Sequence, residues 1–113
     1  MSSAEVTAFL RDFKDKMGIW DIFFIVRDKN IQALADLEIT SNKRKEIITS
    51  LETKDYSEGP LKETQYGGSE MWVFGKTVKD KEVYIKISKG AANSNTLCIS
   101  FHIADHPMNY PLK

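Results

Sequence analysis

Two segments near the C-terminus, KEVYIKIS (81–88) and TLCISFHI (96–103), alternate apolar and polar residues with a period of two. A strand turns successive side chains to opposite faces, so Val83, Ile85 and Ile87 share one face and Tyr84, Lys86 and Ser88 the other. In the second segment Leu97, Ile99, Phe101 and Ile103 form the apolar face, with Cys98, Ser100 and His102 opposite. If both apolar sets pack on helices, Tyr84, Lys86 and His102 share the uncovered face of a small antiparallel sheet. Val78–Lys81 reads as a tight hairpin, with Asp80 supporting the turn, that joins KEVYIKIS to MWVFGKTV (71–78). This earlier strand is apolar on both faces. If Met71, Val73 and Gly75 point inward, then Trp72, Phe74 and Lys76 join the polar face, and Gly75 marks a bend or bulge.

The first half reads as scaffold. Ser2 with Glu5 forms a capping box, and Val6, Phe9, Leu10, Phe13 and Met17 fall on one helical face. Gly18 is the expected C-terminal stop. The β-branched and aromatic run from Ile19 to Val26 predicts a buried strand. Asp28 is expected to cap a short helix burying Ile31, Leu34 and Leu37, and Thr40 or Ser41 another with Ile47, Ile48 and Leu51 inward. The Phe, Trp and Leu side chains of this half are assigned to the core. Residues 53–70 read as a loop punctuated by Gly59-Pro60 and Gly67-Gly68, in which Tyr56, Glu58, Lys62 and Tyr66 are candidates to rim a site. The predicted architecture is α+β, with a small antiparallel sheet packed against N-terminal helices.

Composition narrows the function classes. At 113 residues, positions 1–113 make one domain with room for a single core. One cysteine, Cys98, excludes an internal disulfide framework. No secretory apolar region follows Met1 and the run Ile22–Val26 is too short to span a bilayer, so a soluble, cytoplasmic protein is expected. Net charge is zero with a pI of about 6.7, which argues against indiscriminate nucleic-acid binding. Basic residues nevertheless outnumber acidic ones seven to five over 61–113, and Lys76–Lys89 holds five lysines against Asp80 and Glu82.

An imidazole, a phenol and ammonium groups on one face suit acid–base chemistry on a phosphodiester whose nucleophile is its own 2′-hydroxyl. His102 is the best acid or base, because imidazole is the side chain that changes charge near neutrality. Lys86 and Lys76 are placed to stabilise developing charge. Tyr84 is assigned to position the phosphate or transfer a proton, the latter if the lysines lower its pKa. Trp72, Lys76, Lys62 and Tyr66 are the candidate RNA-binding residues, with aromatic surface for bases and cations for phosphates. No metal or other cofactor is required. His102 and His106 have the spacing of a zinc pair, but Pro107 follows directly and no second pair exists, so no metal is assigned. His106–Met108 with Tyr110-Pro111 reads instead as a tail packed on the sheet, and Cys98 as an inert small residue.

The blocks MWVFGK, KEVYIKI, CISFH and HPM-x-YP, preceded by LETKDYSEGP, resemble the MqsR family of toxins from type II toxin–antitoxin systems. The resemblance runs from the first helix to the C-terminus and is most specific from Asp55 to His102. It implies a RelE-like fold, a metal-independent endoribonuclease acting on mRNA, and a cognate antitoxin protein as partner. By the same resemblance the family's catalytic tyrosine falls on Tyr84 and the lysine two positions later on Lys86. A catalytic lysine after the family's Ser-Phe pair is replaced by His102. Two departures accompany this match: a further active-site lysine aligns with Glu58, and a glutamine with Val73. The expectation is an mRNA interferase whose RNA affinity, given the zero net charge, is modest or aided by the ribosome. The competing class is a non-catalytic module that keeps the fold and its antitoxin or RNA contact.

Overall fold

The chain opens with a helix, α1 (Ser3–Trp20), whose start is written locally. Ser2 Oγ accepts from the Glu5 N–H at 3.2 Å while Glu5 Oε1 accepts from the Ser2 N–H at 3.3 Å, completing the capping box. Val6, Phe9, Leu10, Phe13 and Met17 are all buried, as their spacing predicts. Gly18 does not stop the helix. Asp21 does, at φ 64°, with its N–H donating to Met17 O at 2.8 Å. This extra turn carries Ile19 and Trp20 into the helix, so the buried strand expected over 19–26 shrinks to β1 (Ile22–Phe24). Only Ile22 of β1 is buried, whereas Phe23 is 53% and Ile19 76% exposed. The expectation that every aromatic of this half is core fails at Trp20, carried into the exposed last turn of α1, and at Phe23, because β1 is an edge strand with solvent beside it.

Helix α2 (Asp28–Leu37) starts one residue earlier than a cap at Asp28 allows, with Arg27 as N-cap, and buries Asn30, Ala33 and Leu37. Ile31 is 54% exposed. Helix α3 (Ser41–Thr49) is capped by Thr40, whose hydroxyl accepts from the Lys43 N–H at 3.1 Å. Ile47, Ile48 and Leu51 point inward as expected. A single 3₁₀ turn (Thr53–Asp55) leads into β2 (Tyr56–Leu61), so part of the predicted loop is a strand. Three further strands follow: β3 (Met71–Val78), β4 (Lys81–Ser88) and β5 (Thr96–Ile103). The computed structural model describes residues 1–62, 65–66 and 69–113, and the expected Gly67-Gly68 turn lies outside them.

The fold is α+β, with helices packed on a five-stranded sheet of order β1-β5-β4-β3-β2. The sheet is mixed rather than purely antiparallel, since β1 runs parallel to β5. Lys79 and Asp80 at φ 49° and 68° make the two-residue β3–β4 hairpin, whose twist matches that of the strands. Phe9 stacks on Trp72 at 4.5 Å between ring centroids and lies 6.2 Å from Phe74, tying α1 to β3. Among the described residues no helix is long and apolar enough to cross a membrane.

Asn30 completes the sheet edge. Beyond Cys98, β5 has lost its β1 partner, and the Asn30 side chain takes over. Its Nδ2 donates to Ile99 O at 3.0 Å and Ile25 O at 3.1 Å, and its Oδ1 accepts from the Phe101 N–H at 3.1 Å. A buried amide with three hydrogen bonds satisfies backbone groups that would otherwise be orphaned.

Candidate active site

Register decides which side chains meet. On β3, Trp72, Phe74 and Lys76 lie opposite Ile87, Ile85 and Val83 of β4, and opposed residues in an antiparallel pair share a face. Trp72 and Phe74 therefore belong to the helix-covered face, while Met71, Val73 and Gly75 belong to the other. The expected stacking surface is absent: Trp72 is 8% exposed beneath Phe9. Lys76 is likewise turned away, and its Nζ pairs with the Asp55 carboxylate at 3.1 Å. Hydrophobic burial of two large rings outweighs whatever would favour exposing them, at about 1.5–3 kcal/mol for a single such side chain.

The open face carries two rows that cross the sheet. One runs Gly75, Tyr84, His102, and the next runs Glu58, Val73, Lys86, Ser100. Tyr84, Lys86 and His102 share this face, as the alternation predicts. Past Lys86 a bulge in β5 shifts the register, so Cys98 lies opposite Ile87 and Leu97 opposite Ser88. Cys98 and Leu97 thus exchange the faces expected of them. Burial drives the Cys98 thiol up to about 12, which leaves it unreactive as a nucleophile.

Tyr84 and His102 stack at 5.2 Å with an interplanar angle of 14°. The Lys86 ammonium sits 5.8 Å from the centroid of the same phenol ring. His102 Nδ1 is 2.9 Å from the Ile103 carbonyl oxygen. A carbonyl accepts only, so Nδ1 carries the hydrogen and Nε2 is the nitrogen left to exchange a proton. Burial, and then the negative charge of Glu58, raise the Tyr84 pKa. This reverses the expected lowering by lysines, and Tyr84 is a phenol that donates rather than a phenolate that accepts.

These residues line an open groove of about 750 Å³. Its second wall comes from three places: the sequence offered Glu58 as a rim residue and the tail as packed on the sheet, but gave no sign of the start of α2. Arg27 and Lys29 enter from the start of α2, Ser57 and Glu58 from β2, and the stretch Ala104–Asn109 from the C-terminal tail. Lys29 is neutralised by Asp105 at 2.6 Å. Arg27 donates to the Tyr66 hydroxyl at 3.3 Å, which brings Tyr66 to the groove edge, whereas Lys62 is exposed just past β2 and does not line the groove. His106 also lines it, but among the described residues no three His, Cys, Asp or Glu side chains converge as metal ligands.

The tail wall is held by one carboxylate. Glu82 Oε1 accepts from the Met108 N–H at 3.0 Å and Oε2 from the Tyr110 hydroxyl at 2.6 Å. Tyr110 and Met108 thereby lie over Gly75, where a Cβ would stand 2.8 Å from Tyr110 Cε1 and 2.9 Å from Met108 Sδ. Gly75 is no bend or bulge, since β3 pairs with β4 in unbroken register through it. It is glycine because the tail sits on it. The packed tail was legible in the sequence; Arg27 gave no signal beyond being a cation before a helix.

No protein-family model, curated protein or solved structure matches this chain.

Proposed function

We propose that the protein is a metal-independent endoribonuclease, an mRNA interferase toxin held in check by a cognate antitoxin protein. The observation that supports this most is the grouping of His102, Tyr84 and Lys86 on one open sheet face beside Arg27. Between them they supply proton transfer, hydrogen-bond donation and positive charge, which a transphosphorylation needs once the 2′-hydroxyl serves as nucleophile. His102 Nε2 exchanges a proton with the reacting oxygens. Tyr84 donates its phenolic hydrogen to a non-bridging phosphate oxygen, and Lys86 with Arg27 balances the charge that builds on the phosphorane. The resemblance to MqsR toxins, carried by Tyr84 and Lys86, points the same way. Trp72 and Lys76 play no part in this reading, because neither faces the groove.

The test is to incubate purified protein with RNA in excess EDTA. The expected products carry a 2′,3′-cyclic phosphate and a 5′-hydroxyl, and a 2′-deoxy substitution at the cut site abolishes cleavage. Intact RNA together with undiminished growth of a host expressing the protein overturns the enzyme reading in favour of a binding module.

A further inference from the structure

We propose that Glu58 is the general base of this site and that His102 is correspondingly its general acid. The inference rests on the endoribonuclease reading and goes beyond it by dividing the two proton transfers between named groups. In-line displacement at phosphorus needs a base on the entering 2′-oxygen and an acid on the departing 5′-oxygen, on opposite sides of the phosphate. Tyr84 and His102 stack face to face at 5.2 Å, so they occupy one side together. The second group must come from another strand. Glu58 qualifies: it lines the same groove and lies in the row that continues through Val73 to Lys86 and Ser100. Two residues of extended chain separate neighbouring rows by roughly 6.5 Å, enough to seat a phosphate between them.

The state of the carboxylate fits the role. Glu58 is exposed and its carboxylate forms no hydrogen bond or ion pair with a described residue, although Arg27 and Lys86 share its groove. The other groove carboxylate, Asp105, is occupied by Lys29 at 2.6 Å. Burial, and after it the charge of Glu58, keep the Tyr84 phenol protonated and so unfit to be the base. In the step itself the Glu58 carboxylate takes the 2′-hydroxyl proton and the 2′-oxygen bonds to phosphorus. The bond from phosphorus to the 5′-oxygen then breaks, and imidazolium His102 delivers its Nε2 proton to that oxygen. The products are a 2′,3′-cyclic phosphate, a 5′-hydroxyl, protonated Glu58 and neutral His102, which exchange protons with water to reset.

A Glu58→Gln variant separates this from a bystander charge, because the two readings give opposite signs. A carboxylate that merely faces a polyanion opposes binding, so its loss lowers KM and leaves kcat unchanged or raised. A general base predicts kcat reduced by about 10²–10⁴-fold with KM unchanged or lowered. A second substrate fixes the division of labour. RNA with a bridging 5′-sulfur leaving group needs no acid, so His102→Ala regains near wild-type cleavage on it while Glu58→Gln stays slow. Wild-type kcat in Glu58→Gln, or recovery of both variants on the sulfur substrate, overturns the inference while leaving the endoribonuclease reading intact. A wild-type protein that leaves all RNA uncut defeats both.

Discussion

Tyr84 and His102 are directly opposed across the β4–β5 ladder, with their rings stacked 5.2 Å apart and nearly parallel. Neither residue has a special local environment in the chain, and the pairing exists only because the two strands meet in this register. Removing the imidazole in His102→Ala is expected to lower the single-turnover rate of RNA cleavage by about 10²–10⁴-fold, measured in EDTA. Tyr84→Phe keeps the stack and removes one donor to the phosphate, with an expected loss of about 10²-fold. A fully active His102→Ala protein would remove the imidazole from the mechanism.

Lysines of the same strand pair differ in role. Lys86 faces the groove and Lys76 is bound to Asp55 on the other face. Lys86→Ala should therefore reduce kcat/KM and flatten its dependence on salt. Lys76→Ala should leave both as they are. Equal losses from the two variants, compared across salt concentrations, would contradict the register-based assignment.

Gly75 and Tyr110 form a testable couple. Gly75→Ala is expected to destabilise the protein by about 1–3 kcal/mol in urea unfolding, because the new methyl meets the tail. Combining it with Tyr110→Ala relieves the clash, so the double variant should lose less than the sum of the single ones. Strict additivity would mean that the tail does not rest on Gly75.

The same contact predicts an alkaline transition. Burial, and then the hydrogen bond to Glu82, raise the Tyr110 pKa. A phenol whose folded pKa exceeds its unfolded value stabilises the fold fully below the unfolded value of about 10 and ceases to do so as pH rises through the folded one. Unfolding free energy should thus fall above about pH 10, and the fall should be smaller in Tyr110→Phe. An identical pH profile for that variant would assign the transition to another tyrosine.

Asn30 supplies a stability test away from the site. Asn30→Leu removes both donors and the acceptor that satisfy Ile25 O, Ile99 O and the Phe101 N–H. The expected loss is about 2–4 kcal/mol by urea unfolding, since buried backbone groups are left without partners. A change below about 0.5 kcal/mol, the usual range for a neutral surface substitution, would mean that water or another group replaces the amide.

The parts of this protein that are legible in its sequence are those set by nearest neighbours along the chain. The Ser2–Glu5 box, the buried stripe of α1, the Thr40 cap and the alternation of β4 all follow from residues within a turn or a strand of one another. Alternation also places Tyr84, Lys86 and His102 on one face, and the register bears that out. Exposure of Trp20, Phe23 and Ile31 was not legible, because burial depends on what packs against a helix or an edge strand.

Only tertiary structure decides the rest of the site. The strand β3 is apolar on both faces, so its pattern permits either orientation, and the packing of Phe9 on Trp72 selects the one that hides Trp72 and Lys76. The bulge opposite Lys86 and Ile87 swaps Cys98 with Leu97 through a register shift that involves two strands at once. Glu58 reaches the groove because β2 pairs with β3, and Arg27 because α2 lies along the β5 edge. The sequence by itself therefore determined the three helices, the strands β3, β4 and β5, and the face that bears Tyr84 and His102, since each depends on local periodicity. Tertiary structure alone decided what stands across the groove from them, because contacts between distant segments are set by core packing and strand register, which no local pattern contains.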